Sequence, residues 1–287
     1  MNYGVVTLPN QPWTTLVTTW RELDEQGWDA VYVADHLGNP YRPHEPWLDG
    51  WACLAAMALV TERARIGTLV TPITFRNPAA VARAALTVDA ASDGRLDLAL
   101  GAGGSAFDHT LAEVENWSPR ERASRLEAFA RRVRTLLDDE GLTPRPAAGR
   151  IPLTLGGQGD RLVRLAAELA DTWNTYGGRG LSAEEGRERA RDRVALLERA
   201  RRETGRDVRR SVLLGNRFVA EEPFRSEEAF AEVARIWHGL GFDELVVYAD
   251  PYFMVPRGEE PPPQIVQRIA RDVLPDLRRE LRSRSRH

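Results

Sequence analysis

Short apolar runs alternate with amphipathic segments along most of this chain, and one complete unit of that alternation runs from Arg65 to Gly104. Its first strand is the apolar run Ile66 to Val70, ended by Thr71-Pro72. A helix starts near Asn77-Pro78, with Asn77 as N-cap and Pro78 at the first helical position. Ala79, Ala80, Ala82, Ala84 and Ala85 let that helix lie close against a sheet. Ser92-Asp93-Gly94 closes it, because Gly94 is free to take a positive φ. The second strand, Leu96 to Leu100, opens directly into Gly101-Ala102-Gly103-Gly104. A parallel βαβ unit with glycines at the carboxyl end of a strand is a common place for a ligand.

The same pattern extends in both directions. Strands are predicted at Tyr3–Leu8, Ala30–Ala34, Pro152–Leu155, Thr172–Tyr176, Ser211–Val219 and Glu244–Tyr248. A helix from about Trp13 carries Leu16, Trp20 and Leu23 on one face and stops at Gly27. Ser118, Pro119 and Glu121 open another, with Glu121 expected to complete a capping box; Ser182 with Glu185 repeats the signature. Further helices follow Gly159, span about Ser226 to Leu240, and carry Ile265, Ile269, Val273, Leu277 and Leu281 at four-residue spacing. Eight strands alternating with eight helices predict a (β/α)8 TIM barrel, one domain over residues 1–287 with a charged tail from about Arg278. A doubly wound open sheet needs fewer strands.

Charge and cysteine content narrow the class of function. A net charge of −3 offers no general basic field for nucleic acid, although all 39 basic residues are arginine. The single cysteine, Cys53, fits a reducing compartment, and no apolar run reaches the ~20 residues a bilayer span needs. With Met1-Asn2-Tyr3 leading straight into a strand, a cytoplasmic protein is expected. His44, His109 and His238 lack metal-ligand spacing, so no metal site is expected. The segment from about Trp47 to Thr61 has little polar surface on any side and predicts a homodimer interface, a covering loop being the alternative.

Two places have the residues for chemistry. Gly156-Gly157-Gln158-Gly159 follows a strand and opens a helix, so its backbone N–H groups can cradle a phosphate, with Arg161 adding a charged hydrogen bond. A tight turn without ligand is the alternative; the second cluster of Gly101, Gly103 and Gly104 favours binding. Asp35-His36 ends the second strand. An imidazole can give or take a proton near neutral pH, and Asp35 is placed to orient it, though such a pair also serves as a purely structural unit. Trp13, Trp47, Trp173 and Tyr176 are candidates to wall a pocket for a flat apolar substrate.

Four stretches, VADH at Val33–His36, GTLVTPITFRNP at Gly67–Pro78, SDGRLDLALGAG at Ser92–Gly103, and IPLTLGGQG with ADTWN within Ile151–Asn174, occur in this order. In this the chain resembles the luciferase-like monooxygenase superfamily, most closely its coenzyme F420 (deazaflavin) branch. The resemblance implies an oxidoreductase that moves a hydride between bound F420 and a small organic substrate. His36 would be the proton-transfer residue, and Asp35 would meet the cofactor. It further implies that Thr68, Leu69 and Thr71 lie behind the ring, with a cis peptide at Thr68–Leu69. The phosphate would sit on Gly156–Gly159, with Trp173 beside the cofactor. An FMN-dependent monooxygenase using oxygen and fed by a separate reductase is the alternative, and a non-catalytic cofactor-binding relative is a second. Two departures stand out. Gly103-Gly104-Ser105-Ala106 lacks the aromatic and acidic residues that relatives often place after these glycines, and the approach to the fifth strand is short. Both predict a more open substrate side.

Overall fold

In a computed structural model of the chain, residues 1–176, 178, 180–215, 221–248 and 264–284 are described. The expected Ser211–Val219 strand therefore lies partly outside the described residues, as does the end of the charged tail. Eight parallel strands close into a barrel in sequence order: β1 (Asn2–Thr7), β2 (Ala30–Val33), β3 (Arg65–Pro72), β4 (Leu96–Gly101), β5 (Leu153–Gly156), β6 (Thr172–Thr175), β7 (Arg209–Leu214) and β8 (Glu244–Tyr248). β8 pairs with β1 in register Asn2 to Glu244, which removes both sheet edges. The predicted TIM barrel is the fold observed.

Around it run α1 (Trp13–Glu25), α2 (Gly50–Val60), α3 (Pro78–Ala91), α4 (Ala106–Leu111), α5 (Pro119–Asp138), α6 (Asp160–Leu169), α7 (Ala183–Thr204) and α8 (Glu227–Gly239). The last segment comprises α9 (Ile265–Arg268), a π-helical turn over Ile269–Val273, and α10 (Leu274–Arg284). Its four-residue apolar period is longer than the 3.6 residues of an α-helical turn. The wider π turn takes up part of the drift, and Leu274 rather than Val273 is fully buried. Strand alternation makes two cores. Outward residues such as Val5, Val33, Leu98, Trp173 and Val247 pack under the helices, whereas Val6, Tyr32, Leu69, Ala99, Leu213 and Val246 fill the barrel.

Caps fix the helix starts. Asn77 accepts from Ala79 and Ala80 N–H, and Ser182 with Glu185 forms the complete capping box. Ser118 accepts from Glu121 N–H at 3.2 Å, but the Glu121 carboxylate pairs with Arg125 instead of returning to Ser118, so that box is half made. α2 starts three residues later than the apolar run, at an Asp49 cap that accepts from Ala52 N–H. Among the described residues no helix is long and apolar enough to cross a membrane.

Candidate functional site

β3 is the irregular strand of the barrel. Thr68 pairs with Leu98 and Thr71 with Leu100, so β3 has one residue more than its neighbour over this interval. The bulge turns both Leu69 and Val70 toward the barrel interior, and the Leu69–Val70 peptide is cis. This corrects the expected Thr68–Leu69 position by one residue. Thr68 and Thr71 face outward, their Oγ1 atoms 2.6 Å apart, and Thr71 accepts from Trp51 Nε1 of α2. Their side chains brace the back of the bulge rather than lining the cleft.

Val70 rests on two glycines that no other residue could replace without movement. A Cβ on Gly101 would collide with Val70 Cγ2, and one on Gly156 would lie 3.2 Å from Cγ1. Gly103, at φ +70°, passes against Thr74, whose buried Oγ1 has no hydrogen-bond partner among the described residues. The result is a cavity of about 440 Å³ at the carboxyl ends of β3 to β7, within the usual range for a ligand pocket. Leu69, Val70 and Leu213 give it an apolar surface; Arg122 and Arg161 add charge. Gly101, Gly103, Gly104, Gly156, Gly157, Gly159 and Arg161 of the predicted set line it, and Tyr176 joins them.

Other predicted residues are placed elsewhere. Gln158 donates to Thr175 Oγ1. Trp173 is fully buried in the outer core beside Phe242 and donates to the Gly157 carbonyl, so it supports the glycine loop from behind and does not wall the cavity. Trp13 packs edge-on to Trp20 of α1. Arg161 Nη2 is held by Glu127 at 2.7 Å and its Nη1 by Ser124, which joins α6 to α5. That pairing holds the Glu127 carboxyl below its usual range.

Asp35 and His36 diverge. Asp35 is turned into the body of the protein, where Arg76 Nη2 meets Oδ1 at 2.5 Å and also reaches Asp49 at 2.9 Å. Burial pushes the Asp35 carboxyl up to about 6 against the opposing pull of Arg76. Arg76, flanked by two carboxylates, is held more firmly charged, its own burial notwithstanding. The carboxylate expected to orient His36 is therefore a clamp between β2 and the α2 and α3 ends.

His36 has a different acid. Its Nδ1 lies 2.6 Å from Asp108 Oδ2, and Asp108 Oδ1 accepts from Leu37 N–H at 3.0 Å. Asp108 is buried on α4, whose start is capped by Ser105. A carboxylate here accepts the Nδ1 proton and leaves Nε2 as the basic atom. Trp47 Nε1 donates to the His36 carbonyl, and the Trp47 ring packs on the interior cluster that includes Leu69. His36 thus stands at the carboxyl end of β2 and is not among the residues that line the cavity. Sequence reading missed Asp108 because 72 residues separate it from His36. The signal was present nonetheless: Phe107-Asp108 supplies an aromatic and an acid just beyond the run that seemed to lack them. Among the described residues no cluster of His, Cys, Asp and Glu could hold a metal.

Residues 1–269 match the model of a family described as luciferase-like monooxygenase. Among curated relatives, a 5,10-methylenetetrahydromethanopterin reductase of Methanolobus tindarius is 27% identical over 60% of this chain and 52% of its own length. An F420-dependent glucose-6-phosphate dehydrogenase of Amycolatopsis mediterranei is 30% identical over 55% of this chain and 52% of its own. The chain spans about half the length of these curated relatives. Of solved structures, an F420-dependent secondary alcohol dehydrogenase with an F420–acetone adduct superposes at TM-score 0.78, with 17% identity over 96% of this chain and 98% of that one. The monooxygenase RslO1 from Streptomyces bottropensis does so at 0.74, with 18% identity over 96% and 99%. These two show the fold.

Proposed function

This chain belongs to the luciferase-like monooxygenase family, and on that premise we propose that it is an oxidoreductase using coenzyme F420 to exchange a hydride with a small organic substrate. The observation that carries this reading is the cavity itself. It joins an apolar platform on the β3 bulge to a cationic, glycine-built end, and a half-buried His36 paired with the buried Asp108 stands at the carboxyl end of the neighbouring β2. Such a surface fits a flat ring with an anionic tail. Leu69 and Val70 would support the ring, and the Gly156–Gly159 loop would take the phosphate, since the N-cap of α6, Gly159, has no side chain to occupy the first N–H groups. Bound deazaflavin supplies the hydride acceptor or donor. His36 holds or moves the accompanying proton at Nε2, kept in one tautomer by Asp108.

His36→Ala should retain F420 binding and lose about 10²–10⁴-fold in turnover once a substrate is identified. Undiminished turnover would remove His36 from this role. The FMN-dependent reading, with a separate reductase, draws on the monooxygenase fold neighbour at TM-score 0.74 and on the same phosphate-compatible end of the cavity. We also propose a homodimer through α2, whose outward face offers Ala52, Ala55 and a 76% exposed Leu59 with no charged residue in the helix.

A further inference from the structure

One buried histidine faces more acceptors than a neutral ring can answer. His109, on α4, is 1% exposed. Its Nδ1 lies 2.7 Å from the Glu115 carbonyl oxygen and its Nε2 3.1 Å from that of Gly103. A carbonyl oxygen only accepts, and a neutral imidazole has one N–H and one lone pair. Either tautomer therefore leaves a lone pair facing a carbonyl at hydrogen-bond distance, which is costly in a buried place. An imidazolium donates to both.

The two carbonyls belong to different parts of the molecule. Gly103 lines the cavity at the end of the β4 glycine run. Glu115 ends the turn after α4, where Glu113 takes φ +54° and Val114 N–H donates back to the His109 carbonyl at 3.0 Å. One residue before His109 stands Asp108, the partner of His36. The other charges near the ring come from α5: Arg122 reaches Gly104, and Arg125 stacks on Trp117, whose indole meets the His109 ring edge-on at 5.0 Å. Asp108 attracts an imidazolium and the two arginines repel it, while the Glu113 and Glu115 side chains are exposed. We infer that His109 is a positioning residue that acts as an imidazolium. It clasps the β4 glycine run to the turn after α4, and so holds the Gly103 wall of the cavity and Asp108 in one arrangement that depends on a single proton. The effect on ligand rests on the cofactor reading above; the clasp itself does not.

The test compares wild type with His109→Gln and His109→Asn. A Gln amide places its N–H groups near the Nε2 position and keeps a donor for Gly103; an Asn amide matches Nδ1 and keeps a donor for Glu115 alone. Neither side chain titrates. Ring ¹⁵N spectra of the ligand-free wild type at about pH 6 should show both His109 nitrogens protonated. A proton held more tightly by the folded state stabilises it at low pH, and that contribution is lost as the pH rises. The Tm advantage of wild type over both variants should therefore shrink from about pH 5 to 8. In F420 titrations the ratio of wild-type to His109→Gln affinity should fall over the same range, and His109→Asn should bind about tenfold more weakly than His109→Gln. An unprotonated ring nitrogen on His109 at about pH 5, or a Tm difference that does not change with pH, overturns the inference and leaves the cofactor reading standing. Equal F420 affinity in the two variants removes the positioning role. Absence of F420 binding by wild type, with both nitrogens protonated and a pH-dependent Tm difference, removes the cofactor reading and keeps the clasp.

Discussion

At the scale of residues, two neighbouring side chains divide their labour by direction. His36 pairs with Asp108 and stays partly exposed, whereas Asp35 faces inward to Arg76. Asp108→Asn preserves the shape of the pair but offers an amide in place of an acceptor carboxylate. Turnover should fall about 10–10³-fold with cofactor affinity unchanged, and the His36 ring ¹⁵N signals should show the proton moved to Nε2. An unaltered tautomer would detach Asp108 from the mechanism. Asp35 makes a thermodynamic prediction instead. Its folded pKa, about 6, lies above the ordinary value of 3.8, so the folded state binds its proton more tightly than the unfolded chain does. The stability it contributes is complete below about pH 4 and is lost as the pH rises through 6, up to about 3 kcal/mol. Denaturant melts of wild type should show that fall between pH 4 and 6, and Asp35→Asn should lack it. A matching slope in the variant would assign it to another group.

At the scale of elements, the β3 bulge decides what the cavity accepts. Gly101→Ala would drive a methyl into Val70 and push the platform out of place. A stability loss of about 1–3 kcal/mol and loss of cofactor affinity should appear together; intact affinity would mean that Val70 does not support the ring. The α2 face yields a different expectation. Leu59→Arg adds a charge to a position 76% exposed in the single chain, so folding should be unaffected while light scattering shows monomer instead of dimer. An unchanged mass would place any subunit contact elsewhere. What the sequence could show at this scale was whatever short-range rules decide: the Asn77-Pro78 and Ser182 helix starts, and the glycine ends of β4 and β5. The bulge escaped because it depends on how β3 registers against β4, and Leu69-Val70 reads as an ordinary apolar run.

At the scale of the whole molecule, the barrel was legible because parallel strands buried on both sides are written as continuous apolar runs between amphipathic helices. Closure of β8 onto β1 follows from that count. The site was less so. Its glycines were local and visible, but Asp108 meets His36 across 72 residues, and Trp173 belongs to the outer core by strand alternation that a short motif does not reveal.

The measurement that tests the central claim most directly is an equilibrium titration of the purified protein with coenzyme F420 and, separately, FMN, followed through each cofactor's own absorbance and fluorescence, because Trp173 lies outside the cavity. Saturable binding of the deazaflavin in preference to FMN, abolished by a bulky residue at Gly157, is the result predicted. Preference for FMN, or saturation by neither, would contradict it.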